Sequence, residues 1–185
     1  KEFFAAEMAE STEFTVFTRI KLADYVQEAT TSKVQYQLMS KSSINMHLTF
    51  VDEADGTKDQ FWINDGTTNF SFHGITFNDL KRDYVNVAVV AYKGENTDAL
   101  FLKMYASKGN PAAESQWIEL TCNYSSTTVG KTLVTQTANM YLVAGTSKVA
   151  GIVMDEFRIY ETDLSLSDLH AITVDAFGYS VDDAL

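Results

Sequence analysis

The chain is poor in cysteine, proline and glycine, and each shortage excludes a class of protein. Its 185 residues contain one cysteine, one proline and nine glycines. Because Cys122 has no second cysteine to pair with, neither an internal disulfide nor a cysteine-based zinc site is possible. Together with 45% hydrophobic and 12% aromatic residues, this composition is typical of a packed globular chain and not of a disordered or fibrous one.

Basic residues are also in short supply. Fourteen Lys and Arg against 25 Asp and Glu give a formal net charge of -11. Such a surface repels phosphate backbones and anionic lipid headgroups, so we expect no nucleic-acid partner and no membrane-surface partner. The same carboxylates are compatible with a bound divalent cation, although most acidic surfaces only keep a protein soluble.

Long apolar runs are missing as well. No segment reaches the roughly 18 consecutive apolar residues of a membrane-spanning helix, so we expect no membrane insertion. The opening residues KEFFAAEMAE carry acids where a signal peptide requires an unbroken apolar region. We therefore expect a soluble chain, excised from a larger protein, whose export signal is removed or was not included.

What the sequence does contain is a series of short segments in which apolar and polar residues alternate. This period of two predicts strands with one buried face in residues 14–22, 44–51 and 152–160. Residues 84–92 are apolar at both parities and rich in valine, which predicts a strand covered on both sides. About ten such strands, with turns between them and no long helical period, predict an all-β antiparallel sandwich or barrel.

Two local features interrupt the strand pattern. At Gly74 the apolar phase slips by one residue, which predicts a β-bulge. After Leu164, Ser165 is suited to cap a helix, and Asp168 is placed to interact with the exposed backbone donors of its first turn. One short helix is therefore expected near the C-terminus.

Three segments resemble a known family in the order in which they occur. GIVMDEFRIYETDLS, residues 151–165, resembles the closing strand and turn of laminin G-like domains, and EFTVFTRIKL resembles their early strand. YVNVAVVAYKG resembles their central strand, with Tyr84 in place of the usual tryptophan and Asn86 where histidine is common. The resemblance covers roughly residues 12–172. It implies that residues 1–185 form a single domain, a two-sheet antiparallel jelly-roll sandwich of the concanavalin A-like and laminin G-like kind.

The resemblance also implies a structural calcium and an extracellular or cell-surface location. Calcium prefers the hard oxygen ligands of carboxylates. The ligands expected for it are Asp155 in the closing strand and Asp52, Asp55 and Asp59 in the loop after residue 50. An alternative role for Asp155 or Glu156, whichever points inward, is an ion pair with a residue such as Arg158.

Two tryptophans are candidates for binding a sugar. Trp62 and Trp117 each offer a flat ring on which the C–H face of a pyranose can stack. The polar residues expected to add hydrogen bonds beside Trp62 are Asn64, Asp65, Asn69 and His73. The alternative for both tryptophans is packing in the core, and for the polar residues it is turn formation.

Catalytic patterns are missing. The E-x-D-x-x-E strand motif of laminarinase-like relatives does not occur, the three histidines are scattered, and no nucleophile elbow or phosphate-binding loop is found. We therefore predict a non-catalytic extracellular carbohydrate-binding or adhesion domain of a larger surface or secreted protein, with a glycan or protein ligand. The alternatives are a structural or protein-interaction jelly roll of a cell-surface or phage assembly and, as the third choice, a glycan-cleaving enzyme. The sequence leaves the ligand and the oligomeric state open.

Overall fold

Two antiparallel β-sheets facing each other form the body of the protein. A computed structural model describes residues 13–22, 34–41, 44–50, 59–64, 68–95, 97, 99–123, 140–142 and 152–177. The strands are β1 (Phe14–Leu22), β2 (Val34–Lys41), β3 (Ile44–Phe50), β4 (Gln60–Asn64), β5 (Asn69–His73), β6 (Val85–Lys93), β7 (Leu100–Lys108), β8 (Ile118–Glu119), β9 (Thr121–Cys122), β10 (Met140–Leu142) and β11 (Ile152–Tyr160). The helices are α1 (Phe77–Arg82) and α2 (Leu166–Phe177), with a 3-10 turn at Glu114–Gln116.

The strands are shared between a five-stranded and a six-stranded sheet. Sheet A has the order β11-β1-β6-β7-β8, and sheet B has the order β10-β2-β3-β4-β5-β9. The chain passes from one sheet to the other after β1, β5, β8 and β10. The predicted all-β, two-sheet antiparallel jelly-roll sandwich with a short C-terminal helix is confirmed. None of the helices among the described residues is long and apolar enough to cross a membrane.

The main core lies between the two sheets. Sheet A contributes alternate residues of β1, β6 and β7, and sheet B contributes Phe61, Ile63, Phe70 and Phe72. Burying apolar surface at about 25 cal/mol per Å² makes this layer the principal source of stability. The predicted burial of β6 on both sides is confirmed, because Val85 to Ala91 are all buried.

A second apolar cluster covers the other face of sheet A. Phe17, Ala88, Trp117 and Leu169 of α2 are buried together, and Leu166 and Ile172 pack against them. The prediction that β1 has one exposed face is therefore wrong, since eight of its nine residues are buried. Alternation along β1 cannot reveal that a helix near residue 170 lies over its outer face.

The remaining differences between the predicted and the observed structure lie where strands end. Gly74 follows the last residue of β5 and has a φ of 137°, so the predicted bulge is instead the exit from the strand. The phase slips there because α1 begins three residues later, capped by Thr76, and the sequence did not predict this helix. Between residues 118 and 122 the chain crosses from sheet A to sheet B, so this segment forms two short strands, β8 and β9, and not one long strand.

Candidate functional site

A polar surface surrounds Trp62 on the outer face of sheet B. Along β4 and β5, Phe61, Ile63, Phe70 and Phe72 point into the core, so the intervening residues lie on the opposite face. Trp62 is half-buried there and pairs with Ser71 of β5. We call this surface the polar face; its described residues are Gln60, Trp62, Asn64, Asn69, Ser71, His73, Thr121 and Asn123.

Hydrogen bonds fix several of these side chains. Asn64 Nδ2 donates to Asn69 Oδ1 at 2.6 Å, across the last pair of β4 and β5. The Ser71 N–H donates to Asn123 Oδ1 at 2.9 Å, and the Asn123 N–H donates to the Ser71 carbonyl at 2.9 Å. Amide and hydroxyl groups both donate and accept hydrogen bonds, as do the hydroxyls of a sugar.

His73 lies at the edge of the polar face, opposite Thr121 in register. Its Nδ1 is 3.0 Å from the Asp59 carbonyl oxygen. In the tautomer that carries hydrogen on Nδ1, this contact is a donated hydrogen bond and Nε2 is an acceptor. Asp59 itself, immediately before β4, is buried with 1% of its surface exposed.

The backbone register extends the row of polar positions into β3 and β2. Asn64, Trp62 and Gln60 pair with Asn45, His47 and Thr49, which pair in turn with Ser40, Gln37 and Gln35. No charged residue type occupies any of these strand positions. The predicted ligand residues Trp62, Asn64, Asn69 and His73 are thus brought onto one face, while Asp65 lies outside the described residues.

Trp117 is not part of this surface. It is 4% exposed and packs against Phe17 on the outer side of sheet A, with ring centroids 6.4 Å apart. A stacking platform needs an accessible ring. The prediction that Trp117 binds a sugar is therefore wrong, and the core-packing alternative describes it.

The predicted calcium ligands are not grouped among the described residues. Asp155 belongs to β11 in sheet A, and its Oδ2 lies 3.3 Å from Nε of Arg19. A guanidinium so close repels a cation, so Asp155 does not fit a calcium site. Within the described ranges no three acid, histidine or cysteine side chains come together. Asp52 and Asp55 lie outside these ranges, and calcium stays a prediction.

Arg19 is a buried cation that the sequence did not single out. It is 6% exposed, and its Nη1 donates to the Asn86 side chain at 3.3 Å, the Gly109 carbonyl at 3.2 Å and the Asn110 side chain at 2.9 Å. Its guanidinium also lies 4.7 Å from the centre of the Tyr84 ring. Asn86 and Tyr84 are the two positions that depart from the laminin G-like pattern, and both contact this arginine.

An open cleft of about 390 Å³ lies where β8 and β9 join the two sheets. The residues that line it include Phe72, Tyr92, Leu102, Lys103 and Glu119. The Lys103 ammonium lies 4.9 Å from the centre of the Tyr92 ring. Burial first, and Glu119 second, raise the pKa of the neighbouring Tyr105 hydroxyl above its ordinary value.

Comparison with known proteins finds similarity in three-dimensional structure alone. No protein-family model and no curated protein matches the chain. One similar solved structure, described as "Crystal structure of the receptor binding domain", has a TM-score of 0.51 and 8% identity, over 95% of this chain and 38% of that chain. Another, described as "Cell entry of botulinum neurotoxin type C is dependent upon interaction with two ganglioside molecules", has a TM-score of 0.50 and 11% identity, over 89% of this chain and 36% of that chain. The chain spans little more than a third of each, and at this identity the likeness shows the fold alone.

Proposed function

We propose that this chain is a non-catalytic carbohydrate-binding domain and that the polar face is its ligand-binding surface. The observation that carries the proposal is the position of Trp62, half-buried and flanked in register by residues with amide, hydroxyl or imidazole side chains. A sugar ring has an apolar C–H face and a rim of hydroxyls. Stacking on an indole and hydrogen bonding to amides and hydroxyls satisfy both parts.

The proposal places the chain outside the cell or at its surface, as a laminin G-like module of a larger protein. The segments of residues 151–165 and 84–94 support that family, and one solved structure of similar fold is of botulinum neurotoxin type C, whose cell entry is described as dependent upon interaction with two ganglioside molecules. Because fold does not determine function, the binding surface carries more weight than either likeness.

A protein-interaction domain is the alternative that an extensive apolar patch would favour. Among the described residues, the large apolar side chains that are exposed are Ile118 and Val153, at 42% and 41%. They belong to β8 and β11, at opposite edges of sheet A, and do not form one patch. The polar face remains the better-supported docking surface.

A glycan-cleaving enzyme is the less favoured alternative. Glycosidases use two carboxyl groups that face each other across the scissile bond. The adjacent acids of β11 do not have this arrangement, because Asp155 contacts Arg19 and Glu156 accepts a hydrogen bond of 2.8 Å from Arg158.

The test is binding to a glycan array, followed by titration of the array's strongest ligand into the wild type and into the Trp62→Ala and Tyr92→Ala variants. We expect Trp62→Ala to lose about 2 kcal/mol, which is a roughly thirtyfold weaker Kd. Tyr92→Ala is the matched control, because Tyr92 is also a half-buried aromatic but lies in sheet A. It should bind as the wild type does.

Two results would contradict the proposal. One is a wild-type protein that binds no member of the array. The other is a Trp62→Ala protein that unfolds cooperatively in urea, as the wild type does, and still binds with unchanged affinity.

A further inference from the structure

The described residues of the polar face carry no formal charge, although 21% of the chain's residues are charged. They are amides, hydroxyls, one indole and one imidazole. The strand positions of β3 and β2 that pair with β4 hold uncharged residue types as well: Asn45, His47 and Thr49, then Ser40, Gln37 and Gln35.

The basic residues of the described strands and helices lie elsewhere. Those of sheet A and α1 are Arg19, Lys21, Lys81, Arg82, Lys93, Lys103, Lys108 and Arg158, and in sheet B only Lys41, the last residue of β2, is basic. Carboxylate and sulfate groups are recognised by charge-assisted hydrogen bonds, above all from arginine. The described residues of the polar face include no such donor, and the negative field of the whole chain disfavours an anionic ligand further.

From this distribution we infer that the ligand of the polar face is a neutral glycan, without carboxylate, sulfate or phosphate groups. This inference rests on the proposed function and narrows its ligand class.

The uncharged residues of the polar face form a row across the strands. Trp62 of β4 and Ser71 of β5 are paired in register, and Asn123 is hydrogen-bonded to Ser71 on the far side. Two steps between strands, at 4.7–4.9 Å each, span roughly 10 Å. The backbone register continues the row of uncharged positions to His47 of β3 and Gln37 of β2. The ligand expected for such a row is an oligosaccharide that crosses the strands.

The test uses an array on which each neutral oligosaccharide is paired with a form of the same backbone that carries carboxylate or sulfate groups. Binding is measured at pH 8, where histidine is ordinarily neutral, in low and in high salt. We expect the neutral members to bind with a Kd that salt leaves unchanged. Their anionic partners should bind at least tenfold more weakly, and high salt should reduce this difference by screening the repulsion.

A charge-addition variant makes the test sharper. Thr121 is exposed at the margin of the polar face, and Thr121→Lys should raise the affinity for the anionic members relative to their neutral partners. Ser167→Lys, at an exposed position of α2, adds the same charge far from the polar face. It should change the binding of neither the anionic nor the neutral members.

Two outcomes overturn the inference, and they are distinguishable. Equal or tighter wild-type binding of the anionic members would overturn the neutral ligand class and leave the carbohydrate-binding function standing. Silence of every member, neutral and anionic, would overturn the proposed function and the inference together.

Discussion

Arg19 is held on the outer side of sheet A by neutral oxygen acceptors more than by its ion pair. Its partners Asn86, Gly109 and Asn110 are fixed by the backbone of β6 and of the turn after β7. Gly109 adopts a φ of 60°, where a side chain is strained, and its carbonyl accepts from both Arg19 and Asn86. The side chain of Asp155, in contrast, is 46% exposed, so solvent screens its attraction.

Removing Arg19 should therefore lower the free energy of unfolding more than removing the charge of Asp155. We expect Arg19→Ala to lower the free energy of unfolding by about 3 kcal/mol, because it leaves buried acceptors unsatisfied. Asp155→Asn should lower it by less than about 1 kcal/mol. Urea denaturation at pH 7 measures both, and equal losses would show that the ion pair dominates.

Helix α2 hides the outer face of sheet A from solvent. Leu169 is fully buried against Phe17 and Trp117, and the Thr15 hydroxyl bridges to the turn before the helix. Ser165 and Asp168 cap it reciprocally: the Asp168 N–H donates to Ser165 Oγ at 3.2 Å, and the Ser165 N–H donates to Asp168 Oδ2 at 2.9 Å. The sequence predicted Ser165 as the cap, but it did not predict that Asp168 accepts hydrogen bonds from Ser165 in return.

Ser165→Ala should cost about 1 kcal/mol of stability at pH 7. Ser167→Ala, an exposed position in the same turn, should change it by less than about 0.5 kcal/mol. Urea denaturation compares both variants with the wild type. Equal effects of the two substitutions would show that the cap contributes nothing beyond helix propensity.

The contribution of the cap should also depend on pH. Hydrogen bonds from the Ser165 hydroxyl and N–H lower the pKa of Asp168 below its usual value. The stabilisation is then complete above about pH 3.9, the unfolded-state pKa of aspartate, and is lost as the pH falls through the lower folded-state pKa. The difference between wild type and Ser165→Ala should therefore narrow in acid, and a constant difference down to pH 2 would contradict this assignment.

The whole molecule is expected to unfold as one unit, because both sheets bury their inner faces in a common core. The two tryptophans allow this to be measured, since Trp62 lies in sheet B and Trp117 packs on sheet A. In Trp62→Phe and in Trp117→Phe the remaining tryptophan reports one side of the sandwich. In each variant the fluorescence midpoint in urea should coincide with the far-ultraviolet circular dichroism midpoint.

A gap between these two midpoints in either variant would show that the sheets unfold separately. Coincidence in both would support the prediction that residues 1–185 form one domain. Trp117→Phe should itself lower the midpoint, because shrinking a buried side chain leaves a cavity. The comparison therefore stays within each variant.

The sequence by itself determined the features that depend on neighbouring residues. Alternation located β1 and β11 at their observed bounds, the valine-rich segment identified β6, and Ser165 with Asp168 marked the start of α2. Trp62, Asn64, Asn69 and His73 also lie on one face because β4 and β5 form a short hairpin whose register follows from local pairing.

Only the tertiary structure decided which faces are covered and which distant side chains meet. Trp62 and Trp117 occur in similar alternating segments, yet one lies on the polar face and the other is buried beneath a helix some 50 residues further along the chain. Arg19 meets Asn86 and Asn110, and Ser71 meets Asn123, through contacts that no local period encodes. The physical reason is that side-chain direction follows from the backbone of one strand, whereas burial depends on what the rest of the chain places against it.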